Sequence, residues 1–362
     1  MFFYFLLNTL VIAIGTLIPK KAKIRVISNT TVVVPVQSIL LFILLLIFLG
    51  LRGEFTEDHK NYSAFFRNVC TSVSFKEIFT RTFTMENGFV LLNKLISYLS
   101  HSELFFHLVL SFCILCFFFH VFATKSRILW LTVLLFVNLG DYFGAMNLTR
   151  QVFAASLLFC GCNLIIERKW WKYFALILLA TSIHTTSLVM IPACFLLVQK
   201  RNIIWNSIYF SAILILLFLL GPLVNFVGTI IPKYQNYHYG MGAGSINAIW
   251  AILAIYLFAI ISIRFFIVDY ESDDIFNIVL LNGTFLCLVF LILGIKIYMF
   301  TRFAYFFRPF ACLLIPNLLS QFKDKNTKTL FIVIIAVFCV LYTHISLSGT
   351  GYDPYYFYSS GK

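Results

Sequence analysis

Residues 103–122 read ELFFHLVLSFCILCFFFHVF, and the only formal charge in the twenty is the carboxylate of Glu103 at the start. At 1.5 Å rise per residue, such a run makes a helix of about 30 Å, the thickness of a bilayer's hydrocarbon core. The rest of the chain has too few polar side chains to wrap such a helix in a soluble globule. Hydrophobic residues make up 61% of 362 positions and charged residues 11%, and mean hydropathy is +0.95. A soluble domain would carry about 25% charged residues, so lipid is the solvent for most of this surface. The 43 Phe fit that setting, filling helix interfaces and the lipid-facing shell.

Comparable apolar runs recur at 2–19, 35–51, 128–143, 150–166, 203–231, 247–268, 277–297, 303–320 and 329–347. The stretch 173–198 is too long for one span, at about 39 Å, and it has basic residues at both ends: Arg168, Lys169 and Lys172 before, Lys200 and Arg201 after. Two short legs meeting near Thr181-Ser182-Ile183-His184-Thr185-Thr186-Ser187 keep both clusters on one side. The backbone freed at that turn must face protein or a water-filled cavity. The fold class that follows is all-α: a polytopic transmembrane helical bundle of 10–12 membrane segments with one short paired or re-entrant segment. The whole chain, 1–362, reads as a single integral membrane domain.

Net charge is +13, which in a soluble protein would suggest nucleic acid. Here the Lys and Arg fall in short clusters between apolar runs and read as topology signals, because basic loops stay in the cytoplasm. With the paired legs counted as two, the inside loops hold fifteen of the 27 basic residues. Lys20, Lys21, Lys23 and Arg25 follow the first run instead of preceding it, and no small-residue cleavage site is present, so the run reads as a retained first helix rather than a signal peptide. The outward side then carries the polar and amphipathic segment 52–102, the short loop 141–149 leading into Arg150, and the Tyr/Gly-rich loop 232–246. Eight of nine Cys lie in apolar runs with no matching His, so packing is their expected role, and neither a metal nor a cofactor is expected.

Positive charge on the outward side needs a reason of its own. Arg52 ends the second run, Arg81 lies in the large segment, Arg150 opens a helix, and Arg302 and Arg308 flank or enter the run at 303–320. Arg matches phosphate oxygens through its fixed fork of donors, and ionisable groups near membrane depth usually face a cavity; snorkelling to the interface is the competing explanation. In Asn147-Leu148-Thr149-Arg150-Gln151 a guanidinium sits at a helix N-terminus, where free N–H groups favour anions. Asn147 and Gln151 are four apart and could share a face, and plain capping by Asn147 is the rival. Asp58, Glu86 and His184 are the outward candidates for a general base. Other chemistries lack their signatures. No His precedes an Asp by five positions, the acidic run Asp269 to Asp274 lies inside, and Gly240-Met-Gly242-Ala-Gly244 follows no strand.

Taken together, these residues resemble the EpsG family of exopolysaccharide polymerases, functional relatives of the Wzy O-antigen and capsule polymerases. The matching pieces are Arg52-Gly53 followed by Asp58 and Tyr62 in LRGEFTEDHKNY, Glu86-x-Gly88-Phe89 in MENGFVLLN, Asn147-x-x-Arg150-Gln151 in MNLTRQVFA, His184-x-x-Ser187 in SIHTTSLVMIP, and Arg302-x-x-Tyr305. The resemblance spans roughly residues 45–310. One departure is His59, where the family often has an aromatic.

The resemblance implies a metal-independent glycosyltransferase in a bacterial inner membrane. It would move a growing chain from undecaprenyl diphosphate onto the next lipid-linked oligosaccharide, to build O-antigen, capsule or exopolysaccharide. Arg52, Tyr62, Asn147, Arg150, Gln151, Arg302, Tyr305 and Arg308 would contact diphosphate or sugar, and Asp58, Glu86 or His184 would take the proton. The bilayer is the obligate partner, and a chain-length regulator is a further candidate. A flippase for the same lipid-linked sugars and an O-antigen ligase are the rival functions.

Overall fold

The computed structural model describes residues 1–25, 31–200, 243–267, 274–347 and 351–358, with isolated helical residues between 211 and 222. The expected run at 203–231, most of the loop 232–246 and most of the acidic run 269–274 lie outside the described residues. The chain is an all-α polytopic bundle, with one small exception. Ala22–Arg25 (β1) and Thr31–Val34 (β2) pair antiparallel in the register Ala22↔Val34. The β-branched TVVV explains why this connection prefers strand over loop.

Four described helices are long and apolar enough to cross a membrane, or six if each of two bent pairs counts as one span. The first two helices are α1 (Phe2–Leu17) and α2 (Val36–Gly50). The 52–102 segment folds as α3 (Glu57–Ser72), a short α4 (Glu77–Thr80) and α5 (Asn87–Leu99). The first full span is α6 (Glu103–Lys125), which packs on α2 and on α9 (Thr149–Cys160).

Three expected runs are broken rather than straight. The run 128–143 splits into α7 (Leu129–Asn138) and α8 (Asp141–Asn147), bent by 50°, so the expected loop 141–149 is mostly helix. Gly140 at the bend has φ +102°, a left-handed conformation that side chains resist. The run 150–166 splits at Gly161 into α9 and α10 (Cys162–Ile166).

The stretch 173–198 is two legs, as its length and flanking charges require. These are α11 (Trp170–Ile183) and, after a 3₁₀ turn at Thr185–Val189, α12 (Met190–Leu197). The Phe195 ring lies 5.0 Å from Trp170 and 6.0 Å from Phe174, so the chain doubles back with His184 at the tip.

Farther on come α13 (Ala243–Phe265) and α14 (Ile275–Lys296). The run 303–320 is the second bent pair: α15 (Met299–Phe303) and its 3₁₀ extension meet α16 (Arg308–Ser320) at 46°. The last helix is α17 (Lys325–Leu347).

Tilted and edge-to-face Phe side chains join the centre. Phe118 is 4.7 Å from Phe136, and Phe159 is 5.2 Å from Phe310, linking α6, α7, α9 and α16. Burial runs from 72% of the α14 window to 22% of that of α17, so α14 is central and α17 presents its apolar surface to lipid. A polar seam ties three helices, because Asn138 donates to Asn8 (2.8 Å) and Thr343 donates to Asn138. The C-terminal segment 351–358 returns to the end of α2, where Gly53 N–H donates to Tyr356 O (2.8 Å) and Tyr355 OH donates to Phe48 O (2.7 Å).

Candidate active site

A cavity of about 710 Å³ opens where α3, the α7–α8 bend, α15 and α17 converge. It is lined by Asp58 from α3, Asn147 from α8, and Arg302, Tyr305 and Arg308 from the α15–α16 bend. Five of the residues singled out in the sequence, up to 250 positions apart, therefore share one chamber. Close packing builds its walls. A Cβ on Gly144 would sit 2.3 Å from the Tyr305 ring, so only glycine lets α8 approach it. Thr56 donates to Met146 O (3.3 Å), fixing the start of α3 against α8.

The charge in this chamber is organised. Arg308 is 6% exposed, and its guanidinium carbon lies 4.4 Å from the Tyr305 ring centroid, a cation–π geometry. Behind it sits Asp141, fully buried, with neither carboxylate oxygen hydrogen-bonded among the described residues. Arg308 is the cation that acts on it electrostatically. The sequence reading treated Asp141 only as part of a loop. The available signal was that no other acidic residue lies between Glu103 and Glu167.

A second cluster adjoins the first. Arg150 donates to Glu86 Oε2, and Glu86 Oε1 accepts from Thr185 N–H (3.1 Å) and Thr185 Oγ1 (2.8 Å). His184 Nδ1 stands 3.4 Å from the same oxygen. The Arg150 guanidinium lies 5.6 Å from both the Tyr62 and the Phe89 ring centroids. Burial pushes the Glu86 carboxyl up, but the close approach of His184, the hydrogen bond from Thr185 N–H and the Arg150 charge outweigh it and hold the group well below the usual carboxylate range. Gly88 makes the approach possible, since a Cβ there would meet Ser182 Oγ at 2.2 Å.

Two other residues connect or support. Gln151 donates to the Arg302 carbonyl, joining α9 to α15 and the Arg150 cluster to the chamber. Asn147 and Gln151 do not share a helix face, because Leu148 breaks the helix between them, and Asn147 makes no capping bond to α9. Arg52 does not reach the chamber. It is 2% exposed and donates to Leu49 O and to Ser111 Oγ (3.5 Å). Beside it, His59 and His107 stack at 3.8 Å, and burial together with Arg52 pushes His59 down to about 3.

All nine cysteines are free thiols, and no group of three His, Cys, Asp or Glu side chains able to hold a metal occurs among the described residues. The fold and the chamber define a multi-pass membrane protein with a guanidinium-lined cavity at a bend between its helices. The EpsG family model matches residues 36–360, and the chain belongs to the EpsG family, a family of Wzy-like polysaccharide polymerases. No curated protein and no solved structure matches the chain.

Proposed function

We propose that this protein joins undecaprenyl-diphosphate-linked oligosaccharide units into O-antigen, capsule or exopolysaccharide at the outer face of a bacterial inner membrane. The observation that carries the reading is the cavity of about 710 Å³ that gathers Asp58, Asn147, Arg302, Tyr305 and Arg308. In this reading Arg302 and Arg308 hold the diphosphate of the donor, and Asp58 faces the acceptor sugar. The acceptor oxygen forms a bond to the anomeric carbon as the bond from that carbon to the phosphate oxygen breaks. The electron pair leaves with the lipid diphosphate, and the hydroxyl proton passes to Asp58. Charge develops on the leaving group, so guanidiniums fixed before the reaction stabilise the transition state more than the ground state.

Glu86 suits a different role. Its carboxylate is already satisfied by Arg150 and Thr185, and a carboxyl held far below its normal range is a weak base. It is better suited to orient His184 and to hold Arg150 beside Tyr62 and Phe89. Arg52 and Gln151 then position neighbouring backbone.

The test uses purified full-length protein in lipid vesicles supplied with its lipid-linked repeat unit. The expected outcome is a ladder of longer glycans together with released undecaprenyl diphosphate, at an unchanged rate in chelator. Asp58→Asn should yield neither product. Movement of the lipid-linked unit across the vesicle wall without elongation would support a flippase instead. Elongation only when a lipid A core acceptor is added would support a ligase.

A further inference from the structure

A second concavity of about 430 Å³ lies against the Glu86 network, formed by residues 79–87 and Thr185. We propose that it is a saccharide subsite that holds a part of the glycan remote from the reacting carbon. The inference rests on the polymerase reading above and adds a second place where that substrate is held.

The lining has the chemistry of a sugar site. Thr82, Thr84, Asn87 and Thr185 present hydroxyls and an amide, and Phe79 and Phe83 add apolar surface. Among the described residues, the side chains of Thr82, Thr84 and Asn87 have no hydrogen-bond partner within the protein, and all three are exposed. Their donors and acceptors are therefore available to a ligand. Arg81 lies over Phe83 at 5.7 Å and forms no ion pair among the described residues. A pyranose offers hydroxyls at its edge and C–H bonds on its faces, which match this mixture. A lipid tail would need an apolar wall, and a diphosphate would need more than one cation. The volume falls within the range of about 300–1,000 Å³ typical of small-ligand sites.

The position also fits. Glu86 and Thr185 line this groove, and on its other side Glu86 accepts from Arg150. Gln151, next in sequence to Arg150, donates to the carbonyl of Arg302, which lines the chamber. Contacts through Glu86, Arg150, Gln151 and Arg302 thus link the groove to the chamber. A glycan with its reacting end beside Asp58 can lie over Arg150 with its further sugars in the groove. Holding those sugars supplies binding energy remote from the reacting bond, which orients the end that reacts.

The experiment is a binding titration by saturation-transfer NMR. It uses full-length protein in nanodiscs and, as probe, lipid-free repeat-unit oligosaccharide released from the host strain's own polysaccharide. The wild type should bind, and Thr82→Val with Thr84→Val should bind about tenfold more weakly, as expected for two lost hydrogen bonds. Thr84→Trp, which fills the groove from an exposed position, should abolish binding. Equal affinity in the wild type and both variants overturns the inference, as does displacement of the oligosaccharide by inorganic phosphate, which would mark an anion site. Neither result touches the polymerase reading, which stands or falls on Asp58→Asn in the vesicle assay.

Discussion

Replacing Glu86 by Gln isolates one interaction. The amide oxygen of Gln can still accept from Thr185 N–H and Oγ1, now at 3.1 and 2.8 Å from Glu86, so mainly the ion pair to Arg150 is lost. The partners are 23% and 18% exposed, so water screens them only partly. A hydrogen bond to a charged group at such a site contributes about 1.5–3 kcal/mol. We take about 2 kcal/mol, roughly thirtyfold in an equilibrium constant. Arg150→Met keeps a stem beside Tyr62 and Phe89 and removes the same pair from the other end.

Unfolding titrations in mixed micelles of the wild type, both single variants and the double variant form a double-mutant cycle. The double variant should be little less stable than the worse single, giving a coupling energy near 2 kcal/mol. Strict additivity would show that the pair is not coupled and would refute the reasoning. The dependence on pH has a definite sign. A carboxyl whose folded pKa lies below its unfolded value contributes stability that is fully present above the ordinary carboxylate range. That stability is lost only as the pH falls below that range. The difference between wild type and Glu86→Gln should therefore be the same at pH 7 and at pH 5.5.

The remaining predictions concern other sites. His59, pushed down to about 3, must stay neutral in the folded protein, whereas the unfolded chain binds a proton below about 6.5. The His59 share of stability should therefore fall by about 1.6 kcal/mol between pH 6.5 and pH 5, and His59→Gln should make the slope shallower; a slope unchanged by the substitution contradicts it. Asp141→Ala removes the buried carboxylate that Arg308 acts on electrostatically and should cost about 1–3 kcal/mol. Adding Arg308→Leu should restore much of the stability but not polymerisation, and a double variant less stable than the single would contradict the pairing. Gly144→Val would drive a side chain into the Tyr305 ring and should cost about 1–3 kcal/mol of stability together with activity. Wild-type melting and elongation in that variant would show that α8 has room to spare.

Much of the fold could be read before any coordinates, for physical reasons. Span length and charge clusters decided the bundle, and basic residues at both ends of 173–198 required a chain that doubles back at His184. The bends could not be read so easily. Leu139-Gly140 and Gly161 interrupt apolar runs whose hydropathy barely changes across the break. The ladder at Thr31–Val34 escaped notice because its apolar residues continue into the next helix. The site was legible as a set of residue types and not as an arrangement. Asp58, Asn147 and the Arg302, Tyr305 and Arg308 set were singled out in separate stretches, but nothing in sequence shows that α3 and the α15–α16 bend meet. The pairing of Arg150 with Glu86, 64 positions apart, is equally invisible to local reasoning. Asp141 was overlooked because one carboxylate beside a glycine looks like a turn.

The most direct measurement of the central claim is a gel of surface polysaccharide from a strain lacking this gene. The strain is complemented with the wild-type copy, with Asp58→Asn, or with Arg302→Ala and Arg308→Ala together. The wild-type copy should restore a full ladder, while either variant should leave only the single repeat unit. A full ladder with both variants would contradict a reaction in this chamber, and loss of the single unit as well would place the protein at transport or ligation instead.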